Sequence, residues 1–403
     1  MSKETHRFRY KFLYSEIVTA KKILSVGHMQ FPLGQAQVQR QLLMAKAIIL
    51  EGFDVTVLCR YGIHSESDGI SNEGSFEGVH YVYCSGTSIR PDGICRRNLL
   101  KLKGLFNEYR YYREFSKNSQ LAGALVSTNR FHNILFYFLL GKIFGIITVV
   151  DNVEYWTANK SIKGWKRFDK YLYDKLYFHF ADKIICISDF LISKVNTSRK
   201  VKILKIPSIT DFDKFRYAGT YPLVKAKYFL FCGSKAYSEI IDFVISSFEI
   251  LNQRDFSLVL VTAKTRGLIE RIDKSQLMDR INVMTDIPYN DLVNLYTRSE
   301  ALIIPMRNND QDKARFPHKI GEYCAAGRPI ITNKVGEINN YFNESNSYLC
   351  SEYDTTEYAN AMERIISDPV HAKDVAEHSY QTGLKHFNYR SYSKPIVNLF
   401  DQQ

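Results

Sequence analysis

The stretch from Glu300 to Glu337, EALIIPMRNNDQDKARFPHKIGEYCAAGRPIITNKVGE, constrains the fold more than any other part of the chain. The apolar run Ala301 to Met306 predicts a buried strand, and a loop rich in Asn, Asp, Lys and Arg follows it. Pro317 then opens a helix, at a position where its missing N–H would be unpaired in any case. Ile320, Tyr323 and Cys324 recur at helical spacing, Gly327 supplies a left-handed stop, and Pro329 to Thr332 begins a second strand. In such a unit the loop lies at the carboxyl end of a parallel strand and feeds a helix N-terminus, where unpaired N–H groups and the macrodipole favour an anion such as a nucleotide phosphate. Lys319 and Glu322, three residues apart, share one face of that helix. A carboxylate there can accept two hydrogen bonds from a ribose diol. Equally, the two can form a surface ion pair worth a few tenths of a kcal/mol.

The same order opens the chain. Ile23 to Val26 reads as a strand, Gly27 to Gly34 as a loop, Leu42, Leu43, Ala45, Ile48 and Ile49 as a buried helix face, and Asp54 to Cys59 as a second strand. The Rossmann fingerprint G-x-G-x-x-G is absent, since Gly27 and Gly34 stand too far apart. Strand-like runs continue at His80 to Cys84, Gly123 to Ser127, Ile146 to Val150 and Lys183 to Ser188. After VKILKIPSITDFDKF the alternation restarts at YFLFCGSKAYSEIIDFVISSFEIL, with Gly233 at the joint. Such a restart marks a second doubly wound domain, and 403 residues with 45% hydrophobic content suffice for two full cores.

The formal charge of +12 asks for an acidic partner: nucleic acid, anionic lipid or a phosphorylated ligand. Much of the excess lies where Arg90, Arg96, Arg97, Lys101, Lys103, Arg110, Arg113 and Lys117 interleave with Leu99, Leu100, Leu102, Leu105, Phe106, Tyr109, Tyr111 and Tyr112. That pattern suits an interfacial membrane helix, an RNA surface, or a solvated face covering a core. No nucleic-acid motif is recognisable, which favours the membrane. The seven cysteines contain no C-x-x-C pair, and several sit inside apolar runs, so they read as reduced core residues of a cytosolic chain without structural zinc. The charged amino-terminal stretch does not read as a signal peptide, and Ile134 to Val150, interrupted by Lys142 and Gly145, falls short of a membrane span.

The run ARFPHKIGEYCAAGRPIITNKVGEI and the NSYLC strand after it resemble the donor-site segment of retaining GT-B glycosyltransferases, family 4-like and of the bacterial polysaccharide type. The resemblance implies two Rossmann-like domains facing across a cleft. An acceptor-side domain would span 1–207, a nucleotide-sugar domain 208–389, and a final helix at about 390–403 would return to the first domain. It places Glu322 on the second Glu of an E-x7-E motif, the donor ribose ligand, with Arg315, Phe316, Pro317 and Lys319 beside it. Ile287 falls in the base-contacting loop, Gly233 at the diphosphate loop, and Gly34, with Gln30 and Gln35, in the first cleft loop.

The chain also departs from that family. Ala314 stands at the first Glu, leaving Asp310 or Asp312 as substitutes. Ser234 and Glu239 replace the phosphate-binding Arg and Lys, leaving Lys235, Lys264 and Arg266 as candidate cations. The usual cleft His is missing after the strand ending at Val150, so Asp151 and Glu154 are the candidate acceptor-side groups, with His28 and His132 on the same rim. The expected donor is a nucleotide sugar and the expected acceptor a saccharide or lipid-linked saccharide. Neither a metal nor another cofactor is expected, nor a nucleic-acid partner; peripheral contact with an anionic membrane at the cytoplasmic face is. A non-catalytic GT-B relative that binds a sugar nucleotide or a partner enzyme is the alternative, followed by a membrane- or nucleic-acid-binding protein reusing the fold.

Overall fold

A computed structural model describes residues 21–401 apart from 28–29, 35, 118–120, 160–161, 197–199, 217–220 and 252. His28 and Gln35 therefore lie outside the described residues. The first half forms β1 (Lys22–Gly27), β2 (Asp54–Cys59), β3 (Glu73–Phe76), β4 (Val79–Tyr83), β5 (Leu121–Ser127), β6 (Ile147–Asn152), β7 (Lys183–Cys186) and β8 (Lys202–Lys205). Their order across the sheet is β3-β4-β2-β1-β5-β6-β7-β8, parallel throughout except for the β3–β4 pair. The second half forms β9 (Lys227–Cys232), β10 (Phe256–Val261), β11 (Ile281–Met284), β12 (Ala301–Ile303), β13 (Ile330–Asn333) and β14 (Tyr348–Cys350), all parallel in the order β11-β10-β9-β12-β13-β14.

Parallel strands joined by helical crossovers are covered on both faces, which is why these strands are continuous apolar runs. In β1 and β5 alternate residues serve opposite cores: Leu24, Val26, Ala124 and Val126 enter one cluster, and Ile23 and Leu125 another. The first of these clusters runs on through Phe212, Phe215 and Phe316 to Leu230 and Leu302 of the second sheet, so one core bridges both halves.

Polar contacts reinforce that bridge. The Ser188 hydroxyl donates to the Ala314 carbonyl. The Asp189 amide donates to Glu337 Oε1 at 2.5 Å, and Lys205 Nζ reaches Glu337 Oε2 at 3.2 Å. At the end of the described chain, Ile396, Leu399 and Phe400 are buried in the same cluster as Val38 and Leu42 of the helix Ala36–Ile49. Phe400 lies so close to β5 that a Cβ at Gly123 would come within 2.1 Å of its ring.

Some local structure was not foreseen. The expected strand at His80 to Cys84 is β4, but its antiparallel partner β3 and the short strand β8 are additions, each short and, in β3, poor in apolar residues. The polar loop before Pro317 contains a short helix, Asp310–Ala314, capped by the Asn309 side chain accepting from the Asp312 amide. Among the cysteines, Cys95 is exposed and Cys232 half-buried, a correction to the expectation of core positions.

Candidate functional site

Pro317 supplies the extended residue from which the helix His318–Ala325 starts, and Ile320, Tyr323 and Cys324 anchor the helix in the core. Gly321 lets the interdomain segment approach: a Cβ there would meet the Thr210 hydroxyl at 2.4 Å. The first turn thus lies at the junction of the two halves. Gln39 and Leu43 from the first half, Thr210, Asp211 and Lys214 from the connecting segment, and Tyr289, His318 and Glu322 from the second enclose one small cavity.

Glu322 is only 4% exposed. Lys319 Nζ donates to its Oε2 at 2.9 Å and the Tyr289 hydroxyl reaches Oε1 at 3.5 Å, a long contact. Burial alone would raise the Glu322 pKa. Lys319 outweighs that effect and holds it below the usual carboxylate range, so the group is an ionised acceptor. The same pair holds Lys319 charged, burial notwithstanding. Burial lowers His318 to about 4, so its imidazole is neutral at pH 7. The Lys319–Glu322 pair is therefore not the exposed i,i+3 bridge that its spacing also allowed.

A second knot joins the halves beside it. Asp312, 2% exposed, accepts from the Arg307 amide at 2.9 Å, from Arg307 Nε at 3.1 Å and from an Arg315 amino group at 2.6 Å. Burial would raise its pKa, but these partners hold it low. Arg315 also donates to the Tyr237 hydroxyl at 2.7 Å. Glu154, at the end of the segment after β6, faces Arg315 and Asp312 from the first half. Burial pushes it to about 7 against the pull of Arg315, and its Oε1 has no hydrogen-bond partner.

Other candidates stand elsewhere. Both oxygens of Asp151 accept from Arg40, which also donates to the carbonyls of Ile206 and Pro207 at 3.0 and 2.7 Å. Arg40 thus ties the first helix both to Asp151 at the end of β6 and to the connecting segment, and both Asp151 oxygens are engaged by it. Phe316 is buried against Tyr341 and Phe387, so its ring is core, because the chain must cross the interdomain core to reach Pro317. Arg266 turns back to Glu270 on its own helix at 2.7 Å, and Lys235 and Lys264 are exposed on the loops after β9 and β10. Ile287 is half-buried after β11, beyond a turn at Asp286 with φ of 51°.

Gly233 packs on the Phe231 ring, where a Cβ would sit at 2.8 Å, and Gly34 on Val38, where it would sit at 2.4 Å. Asp310 is exposed, and His132 contacts Asp169 at 3.2 Å. Lys214 and Lys46 were not foreseen. They bind Glu77 at 2.5 and 3.0 Å, and Lys46 also binds Asp211, which with Lys214 lines the cavity, at 2.8 Å. The close sequence spacings of Lys319 to Glu322 and of Asp312 to Arg315 were signals; the partners from other elements leave none.

Residues 220–382 match the family model described as Glycosyl transferases group 1. A capsular polysaccharide biosynthesis glycosyltransferase, CapM, from Staphylococcus aureus is 24% identical over 227 residues, or 52% of this chain and 58% of that protein. The chain thus spans little more than half the length of that curated relative. Among solved structures, sucrose-phosphate synthase from Thermosynechococcus elongatus is similar with a TM-score of 0.73 at 15% identity, over 94% of this chain and 98% of that one. HepE of Anabaena, solved in complex with UDP-glucose, is similar with a TM-score of 0.67 at 12% identity and the same coverage. The chain has the GT-B fold, and its residues 220–382 are similar to the glycosyltransferase group 1 family.

Proposed function

We propose that the protein transfers a sugar from a nucleotide-sugar donor to a saccharide or lipid-linked saccharide acceptor, with retention of anomeric configuration, in the synthesis of a bacterial surface polysaccharide. The observation that carries this reading is Glu322, a buried and ionised carboxylate in the first turns of a helix at the junction of two doubly wound sheets. A ribose diol is the ligand such an acceptor suits. The donor diphosphate would face the N-terminus of the same helix, with Lys319 and the exposed Lys235 and Lys264 as counter-charges. Ile287 would pack on the base, and Gly34 and Gly233 would let backbone approach the donor.

Glu154 is the acceptor-side group in this reading. A carboxyl with a pKa of about 7 can take up and return a proton near neutral pH, and Asp312 stays ionised to oppose positive charge on the sugar. No metal is expected in this reading, in which cations and backbone dipoles would stabilise the leaving diphosphate.

Membrane contact would use the helix Ile94–Lys117. Its Leu99, Leu102 and Phe106 are 67%, 64% and 62% exposed, and Lys103, Arg110 and Arg113 are exposed on the same helix. No helix among the described residues is long and apolar enough to cross a membrane. We place the protein at the cytoplasmic face as a peripheral enzyme.

Thermal-shift screening against nucleoside diphosphates and their sugar conjugates tests the reading. One nucleotide class should raise the melting temperature of the wild type and fail to do so for Glu322→Ala. Glu239 supports a second reading, a non-catalytic sugar-nucleotide-binding protein. It stands where relatives carry a phosphate-binding Lys, and it pairs with Arg307 at 3.0 Å. Nucleotide binding without any donor hydrolysis would favour that reading.

A further inference from the structure

A cavity of about 290 Å³ lies in the first half, lined among others by Gln30, Tyr61, Arg90, Arg97, Leu100 and Lys101. Its volume is near the lower end of the roughly 300–1,000 Å³ typical of small-molecule sites. Gln30 follows β1 and Tyr61 follows β2, so the cavity opens at the carboxyl ends of adjacent parallel strands, where α/β sheets keep their ligands.

Its walls are fixed by backbone. The Ile63 and His64 amides donate to the Ser88 carbonyl at 2.9 and 3.0 Å, and the Arg90 amide donates to the His64 carbonyl at 2.9 Å. Gly62 is needed for this approach, because a Cβ there would come within 2.3 Å of the Ile89 carbonyl oxygen. The opposite wall is the helix Ile94–Lys117. Gly104 lets it touch the Arg60 backbone, and the buried Arg60–Glu108 pair at 3.0 Å locks it there. Arg97 Nε is held by the Pro91 carbonyl at 2.9 Å, and Lys101 Nζ stands 5.2 Å from the centre of the Tyr61 ring.

Three cations thus line one rigid cavity, and no carboxylate lines it. Among the described residues Arg90, Arg97 and Lys101 form no ion pair. Arg97 and Lys101 are four apart on one helix, a like-charge spacing that destabilises a helix by a few tenths of a kcal/mol. An arrangement unfavourable when empty becomes favourable once an anion enters. A single carboxylate would balance one of the three charges. A phosphate or diphosphate balances two or three, with the guanidinium groups as donors and Lys101 as a point charge. The phenol of Tyr61 is raised by its burial, while Arg60, Arg130 and Arg90 pull it the other way, a sign of the positive field at this wall.

We propose that this cavity binds the phosphate or diphosphate group of a phosphorylated saccharide acceptor. The inference rests on the glycosyltransferase reading and deepens it: the acceptor would carry its phosphate into the cavity and its sugar toward the junction.

The test is calorimetric titration of the full chain, saturated with the nucleoside diphosphate found in the thermal screen. The probes are glucose 1-phosphate, farnesyl diphosphate in non-ionic micelles, and glucuronate. At least one phosphorylated probe should bind, and R97A/K101A should weaken it at least tenfold with no change in melting temperature. Lys373→Ala, on the exposed face of a second-half helix, should leave it unchanged. Preference for glucose 1-phosphate identifies a soluble phosphosugar acceptor, and preference for farnesyl diphosphate a lipid-linked one; either supports the proposal. It is overturned if neither phosphorylated probe binds, if R97A/K101A binds them as the wild type does, or if glucuronate binds equally well and is lost in parallel. Nucleotide affinity from the same samples reports separately on the donor site. Its absence would remove the glycosyltransferase reading while leaving a phosphate-binding cavity.

Discussion

Glu154 shows how burial sets chemistry at a single residue. Its pKa of about 7 in the folded protein lies above the 4.5 of a free Glu. Below about pH 4.5 it is protonated in both states and costs nothing. Between there and pH 7 the unfolded chain loses the proton first, so stability falls as pH rises, by about 3–4 kcal/mol at roughly 1.4 kcal/mol per pKa unit. Glu108, also raised to about 7 by burial, has the same sign, so only a difference isolates Glu154. Urea denaturation at pH 5 and pH 8 should show a smaller loss of stability for Glu154→Gln than for the wild type; equal losses would mean that Glu154 is solvated. At this scale the sequence displayed neighbours on one helix and hid partners from other elements. Lys319 and Glu322 were legible from their spacing, and Asp312 and Arg315 share the same spacing, whereas Arg40 on Asp151, or Arg315 beside Glu154, come together only through the fold.

Among the elements, the helix Ile94–Lys117 is held by few contacts. Over its 24 residues only Gly104, Glu108 and Tyr112 are buried, and Glu108 and the Tyr137 hydroxyl that donates to it at 3.0 Å meet Arg60 inside the first core. Glu108→Ala would leave Arg60 buried without its carboxylate, a change that costs about 3–5 kcal/mol. Denaturation should show a loss of that order; a loss below about 1 kcal/mol would mean that Arg60 escapes to solvent. The strands and this helix were readable because apolar runs and helical periodicity are local. The strand β3 was not, since it is half-exposed and takes its order from β4. Nor was the direction of the helix readable: its basic and aromatic residues fit a membrane, an RNA or a core equally, until Glu108 and Tyr112 are seen to point inward.

In the whole molecule the order of strands explains why a restart after residue 226 could be read as a second sheet: a strand–helix alternation on each side of a connecting segment builds two parallel sheets. How the halves meet was not readable, because contacts such as Lys205 to Glu337 pair residues far apart in sequence. The chain's last segment adds to the first core through Phe400. Phe400→Ala should therefore destabilise the protein by about 3–5 kcal/mol, with an equilibrium unfolding loss below about 1 kcal/mol showing that this segment is dispensable. The central claim, that the junction binds a nucleotide through Glu322 and its ribose diol, is tested most directly by a chemical cycle. The nucleoside diphosphate that binds best and its 2′,3′-dideoxy analogue would each be titrated into wild type and Glu322→Ala. The account predicts that losing the diol weakens wild-type binding at least tenfold, about 1.4 kcal/mol, and changes the variant's binding little. An equal loss in both proteins would contradict it.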